Sequence, residues 1–454
     1  MEPFFGLASL RLGVCTALLL EDSVGGALVA ARRPHELLVY PEFLTGWVPL
    51  SPTWTLGLMW AFRVLLVSAL LGFRTQLSLA GLSVLGLPLL ASAQLLGPTV
   101  HNMHLLWFLL LLAVAPSGQV WSIDQLMRSR AVQRAWPAAR VDRTALRASQ
   151  GLFVARGLLA CVYFFPGAWK LCANGVAWAS AQRLVPLFHS KWYQFNFLPS
   201  FRVDEHPLLL QLGGLGIMAL ELAFPVLVLS RAGRWMACLG GLSFHVLSAQ
   251  FLGIRFMPLW LCYGILIDWP SVLHWLQDRS PPSRTGEAAR KTSPWRLTSI
   301  RVRPAHLNLV SLVGSVLLLG AITQGARGQM QSWPFACYPT FHRPIRDTLP
   351  DVLMVVSTKQ ERRSYPSPQQ ARLRSQAAWG RTWDLLGYYG TPVSPARLQA
   401  YAEEQLTRLR PALRDAQVSL YEVERSTQPA DWDSSPRIIR RLGNVEVSAS
   451  RRAD

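Results

Sequence analysis

Apolar stretches of bilayer-crossing length recur along this chain, and that recurrence limits the fold more than any single residue does. They run from Phe5 to Leu20, Thr53 to Gly72, Leu77 to Leu96, His101 to Pro116, Gly151 to Pro166, Leu208 to Ser230, Trp235 to Leu252, Met257 to Asp268 and Leu307 to Gln324. A spanning helix needs about 17–25 apolar residues, and hydrocarbon admits only segments that satisfy their own backbone groups. The expected fold is therefore a polytopic α-helical membrane protein with about nine transmembrane helices. The first and eighth stretches are short, and Arg11 and Arg63 interrupt apolar runs, so the count is open by one or two. Hydrophobic residues make up 51% of the chain, too many for an ordinary soluble domain of 454 residues. No small-residue cleavage pattern follows the first stretch, which reads as an anchor.

Charge then orients the stretches. The formal net charge of +19 is carried mostly by arginine and gathers in two loops. One holds Arg128, Arg130, Arg134, Arg140, Arg143 and Arg147; the other holds Arg279, Arg284, Arg290, Lys291, Arg296, Arg301 and Arg303. Basic residues confined to short loops between apolar segments follow the positive-inside rule, which excludes a nucleic-acid face and puts both loops in the cytoplasm. Four stretches lie between them, an even number, so the two loops share a side. Counting one stretch away from the first loop in either direction puts His104 and Lys170 together on the outer side. The chain divides into a transmembrane core at 1–268, a basic cytoplasmic linker at 269–306, a last transmembrane helix at 307–325 and an extracytoplasmic part at 326–454. Alternating runs at Val352 to Thr358, Val418 to Val423 and Val445 to Ser448, with an amphipathic stretch at Ala396 to Ala416, predict a small α+β domain there.

Ionisable residues near hydrocarbon are the candidates for chemistry, because each costs about 2.5–3.5 kcal/mol at the bilayer centre on insertion scales. Lys170 closes the fifth stretch, and a desolvated amine is a usable base; the competing explanation is a snorkelling lysine between interface tryptophans Trp169 and Trp178. His104 opens the fourth stretch and can relay a proton, or simply bind water at the interface. Arg156, Glu221 and His245 fall inside spans and should face one another or a cavity, with Arg156 and Glu221 as a natural ion pair. His245 has Ser248 three positions on, a polar seam suited to a ligand or to helix contact. Ser122 or Asp124 is positioned to cap the next helix. Cys15, Cys161, Cys238 and Cys262 lie in apolar stretches, no spacing suits a metal, and Cys172 and Cys337 share the outer side, where a disulfide is open to them.

Five blocks in order resemble the vitamin K-dependent γ-glutamyl carboxylase family and its bacterial relatives, the horizontally transferred transmembrane domain proteins. They are Ala8-Ser-Leu-Arg-Leu12, Asn102-Met-His104, Trp121-Ser-Ile-Asp124, Tyr163-Phe-Phe-Pro-Gly-Ala-Trp-Lys-Leu171 and Phe244-His-Val-Leu-Ser-Ala-Gln-Phe251, within roughly the first 280 residues. The resemblance implies Lys170 as the base that activates vitamin K hydroquinone and His104 as the residue of the carboxylation step. Trp169, His245, Arg156 and Glu221 are the candidates for the quinol site. It further implies O2 and CO2 as co-substrates, no metal, and as partners membrane lipid, a lipid quinol and a glutamate-containing peptide on the outer side. In a bacterium the location would be the cytoplasmic membrane, with active site and C-terminus outside. The family's carboxylases carry two adjacent lysines where this chain has Trp169 and Lys170, and its animal members have a much larger lumenal portion. Two alternatives stand beside carboxylation: a quinol epoxidase without it, and a non-catalytic membrane scaffold.

Overall fold

The computed structural model describes residues 1–22, 24–40, 50–97, 102–131, 138–278, 308–328, 333–335, 341, 343–374, 376–388, 392–410 and 415–447. The N-terminal part is helical: α1 Glu2–Leu20, α2 Gly25–Arg32, α3 Pro52–Leu71, α4 Thr75–Gln94, α5 Met103–Val114, α6 Ile123–Ala131 and α7 Ala138–Asn174. It continues with α8 Ala181–Phe195, α9 Pro207–Leu227, α10 Arg231–Leu252, α11 Met257–Trp260, α12 Trp269–Asp278 and α13 Leu309–Arg327. Seven helical stretches among the described residues are long and apolar enough to cross a membrane: α1 with α2, then α3, α4, α7, α9, α10 and α13. The other two expected spans form shorter apolar helices, Met103–Val114 and Met257–Leu266.

Helix punctuation follows local chemistry. Ser51, Ser230 and Asn308 each accept a backbone N–H from the first turn of α3, α10 and α13. Gly72, Gly253 and Gly328 end the same three helices in the left-handed region at φ 69°, 71° and 62°. Gly72 also has no room for a side chain, since a Cβ there would strike Ser122 and Arg11. Arg11, fully buried, explains its own place in an apolar helix: its guanidinium donates to the Ala69 and Leu70 carbonyls at 2.7 and 3.1 Å and to Trp121 O at 2.5 Å. It thus adds side-chain donors to carbonyls in the last turn of α3. Ser122 caps α6 through Gln125 N at 3.0 Å, whereas Asp124 serves a different helix from the one expected, accepting from Arg74 N and Thr75 N at the start of α4. Those bonds outweigh the upward push of burial and hold the Asp124 carboxyl below its usual range.

The first basic loop is largely helical, split between α6 and a 37-residue α7 that extends well beyond the expected span. The linker opens with helix α12; its basic residues from 279 onward lie outside the described residues, as does Cys337, so the Cys172 pairing has no structural description.

The C-terminal part is α+β, with β1 Thr348–Ser357, β2 Arg362–Tyr365, α14 Pro368–Arg372, α15 Gln376–Leu385, α16 Pro395–Leu409, β3 Ala416–Ser426 and β4 Arg437–Val447. All sheet pairings are antiparallel, in the order β2-β1-β3-β4. Its core of Val352, Met354, Val356, Val418, Leu420, Val445 and the α16 residues Leu398 and Leu406 also takes in Leu37 from the segment after α2. The boundary at residue 326 therefore leaves out one part of this domain's core. Asp351, with no exposed surface, bridges Arg374 and Arg425 at 2.5 Å each. Asp351→Ala leaves two buried guanidiniums without that partner and is expected to destabilise the sheet domain by about 3–5 kcal/mol, measurable as earlier hydrogen exchange of β1 and β3 in urea.

Candidate functional site

Two helices that differ widely in sequence position build the centre of the site. On α7, Tyr163 and Lys170 stand seven residues apart and so share one helical face. On α9, Glu221 and Phe224 stand three apart and share another. The faces meet residue to residue: Lys170 Nζ donates to both Glu221 carboxylate oxygens, at 2.6 and 2.8 Å, and the Tyr163 ring stacks on Phe224 at 4.2 Å. Gly167 permits this approach, because a Cβ there would lie 2.7 Å from Glu221 Cβ. Lys170 and Glu221 are only 3% and 5% exposed, so Lys170 is no snorkelling residue. Its ammonium also lies 4.7 Å from the centre of the Trp178 ring.

One helical face further, the Tyr163 hydroxyl meets His245 Nε2 at 2.7 Å and the Tyr263 hydroxyl, which itself lies 3.0 Å from His245 Nε2. Gly241 makes room for Tyr263, whose hydroxyl occupies the space a Cβ would take. This triad carries labile protons inside the apolar bundle. Among the described residues, His245 Nδ1 and Ser248 Oγ are buried without a hydrogen-bond partner. They lie three positions apart on α10, beside Phe256, whose ring centre is 5.6 Å from that of His245. Buried polar atoms are nearly always satisfied, so this pair is suited to receive a ligand oxygen or an ordered water.

The remaining candidates lie elsewhere. Arg156 does not pair with Glu221, contrary to the sequence expectation; it binds Glu2 at 2.7 Å and the Ile265 carbonyl at 2.9 Å, and Arg234 joins the same carboxylate at 3.2 Å. Helical spacing could not reveal this, because Glu2 sits at the very start of the chain. Trp169 turns to α13, donating to Gly325 O at 2.9 Å. His104 is buried and bonds Pro258 O at 3.2 Å. A carbonyl can only accept, so Nε2 carries a proton in this bond. The hydrogen bonds described for His104 and Lys170 thus go to different partners. Tyr163 and Tyr263 were not singled out in the sequence, although Tyr163 opens the block that ends at Lys170.

The segment after Lys170 folds as a short 3-10 turn and the amphipathic helix α8. Trp178 Nε1 donates to Phe341 O at 2.7 Å and Trp192 Nε1 to Phe251 O at 2.6 Å, tying α8 and its neighbours to the end of α10 and to the chain that leads into the sheet domain. Tyr193 on α8 meets Trp432 of that domain. Lys170, α8 and the sheet domain therefore occupy one end of the bundle. Trp178, Arg183, Leu184, Leu187, Phe341 and Arg343 line a small open recess there. The nearby His189 binds Asp204 at 2.9 Å. Burial raises the Asp204 pKa, but Arg202 and His189 outweigh that and hold it below the usual carboxylate range.

No family model, curated protein or solved structure matches the chain.

Two outcomes test the electrostatics. Glu221→Ala strands a buried ammonium and is expected to cost about 3–5 kcal/mol, while the double variant Lys170→Met/Glu221→Leu recovers most of that loss, read from thermal unfolding in detergent micelles. Lys191 on α8 is enclosed by Phe195 and Phe341, and desolvation lowers its pKa from 10.5 to about 8. Between those values the unfolded chain binds the extra proton, so this group makes stability rise as pH climbs from about 8 to 10.5. Lys191→Met should remove that rise from the pH profile of unfolding.

Proposed function

We propose that the chain is an integral membrane enzyme of the vitamin K-dependent carboxylase type, in which Lys170 takes the proton of a lipid quinol and the oxygenation that follows drives carboxylation of a glutamate side chain. The observation that carries this reading is the Lys170–Glu221 pair, buried between apolar helices and adjoined by the Tyr163–His245–Tyr263 triad. In that setting a carboxylate within 2.8 Å can hold a proton while the amine acts as base. A reduced quinone supplies a hydroxyl to deprotonate and the two electrons that reduce oxygen. His245 Nδ1 and Ser248 Oγ fit it, since they are buried polar atoms beside aromatic rings. In the balanced reaction one oxygen atom goes to the epoxide and the other to water; the glutamate γ-carbon loses its proton and forms a bond to CO2.

The two short apolar helices complete nine crossings in this reading. Placing the basic stretches in the cytoplasm puts Lys170, His104 and the sheet domain outside, facing the periplasmic side if the host is a bacterium. Quinol would enter from lipid, and peptide from the aqueous side.

A second reading, quinol oxygenation without carboxylation, is favoured by one observation: the hydrogen bond described for His104, assigned here to the carboxylation step, goes to Pro258 and not to the Lys170–Glu221 pair.

Membranes holding the protein, given reduced vitamin K, labelled bicarbonate and a glutamate peptide, separate these readings when epoxide and fixed label are measured independently. Lys170→Ala is expected to lower both by about 10²–10⁴-fold, the usual worth of a general base. His104→Ala is expected to remove fixed label and spare epoxide, and Ser248→Ala to raise the quinol KM. Epoxide without label in the unaltered protein selects the second reading, and neither product overturns both.

A further inference from the structure

We propose that the exposed edge of the C-terminal sheet is a docking strand for an extended acidic peptide. The inference stands on the sheet alone and does not depend on the reaction proposed above.

The order β2-β1-β3-β4 leaves β4 at one edge, and an edge strand presents unpaired N–H and C=O groups to its open side. At 11 residues β4 is far longer than the four-residue β2 at the opposite edge. Its two halves differ. The C-terminal half is anchored, with Val445 and Val447 buried and Gln399 of α16 donating to Glu446 O at 3.0 Å. The N-terminal half, Arg437-Ile-Ile-Arg-Arg441, is exposed throughout, and Ile438 and Ile439 leave 58% and 43% of their surface to solvent. Ile438 lies opposite Val423, while Ile439 falls at the register shift and has no partner on β3, so two exposed apolar side chains sit together on this edge.

The strand's existing neighbour shows what it pairs with. On β3, Glu422-Val423-Glu424 lies opposite Arg440, Ile438 and Arg437, and Arg440 Nε binds Glu422 Oε2 at 2.6 Å. The inner side of this half is thus met by acidic residues separated by an apolar one. Arg437 and Arg441 remain available to a second strand of the same pattern on the open side. A second copy of this chain is a poor occupant, because β4 paired with itself sets arginine against arginine, and like charges directly opposite destabilise a sheet. An extended segment with alternating acidic and apolar side chains meets all three demands: backbone pairing, neutralised arginines and covered isoleucines.

The test uses the full chain in nanodiscs of neutral phosphatidylcholine and a dye-labelled nine-residue peptide of alternating glutamate and valine. Saturable binding that weakens with salt is expected, and a lysine-valine peptide should not compete. Methylating alternate peptide nitrogens on the bonding edge is expected to raise Kd at least tenfold without touching the protein. The exposed substitutions Arg437→Glu and Arg441→Glu together should do the same while leaving the hydrogen exchange of β1 and β3 unchanged. Equal affinity for the methylated peptide overturns strand addition. Binding of phosphatidylglycerol vesicles that the peptide fails to displace overturns it as well, and identifies the arginines as a membrane contact.

Discussion

A charge pair sealed between two apolar helices organises the transmembrane part of this protein. Lys170 and Glu221 would each be prohibitive alone in hydrocarbon, so α7 and α9 must meet with these two residues opposite each other. Gly167 exists at the crossing because any side chain would push the carboxylate away, and Tyr163 and Phe224 lock the helices two turns along. The same contact fixes the azimuth of α7, and with it the direction in which Tyr163 offers its hydroxyl to His245 and Tyr263. A single electrostatic requirement thus sets the position of a second polar cluster that shares no atom with it.

The opposite end of the bundle solves the same problem differently. Glu2 gathers Arg156 and Arg234, and Asp268 takes Arg231 at 2.7 Å. Two arginines around one carboxylate keep net positive charge there, as suits a surface next to the basic segments. At the Lys170 end the carboxylate faces one ammonium, and no second cation shares it in the described ion pairs. A one-to-one pair can exchange a proton internally and become neutral; a two-to-one cluster of guanidiniums cannot, because arginine stays protonated. That difference is why chemistry is assigned to the Lys170 end and anchoring to the other.

Much of this was legible in the sequence because hydrophobic runs report helices directly. All nine apolar stretches coincide with helical segments, and β1, β3 and α16 fall close to where alternation and amphipathicity put them, whereas β4, expected from Val445, begins at Arg437. β2 escaped notice because Arg362-Arg-Ser-Tyr365 is too short and too polar to show a period of two. The pairing of charges was not legible. Arg156 and Glu221 looked like partners because both interrupt spans, yet depth and azimuth decide contact, and neither is written in the spacing within one helix. Tyr163 and Tyr263 were hidden for a related reason: an aromatic in an apolar run reads as packing until the histidine that meets its hydroxyl is known.

The sheet domain links these levels. Leu37 enters its core and Arg33 reaches Glu404 from the chain just after α2, while α8 meets it through Tyr193 and Trp432. It is held at two separated points beside the end of the bundle where Lys170 lies. An extended chain docked on the β4 edge, as proposed above, would be held by the same domain that contacts α8. Holding a ligand in a fixed place lowers the entropic cost of bringing its side chains to a buried site. Attachment at these two points, more than the size of the domain, is what would let so small a sheet contribute to the reaction proposed above.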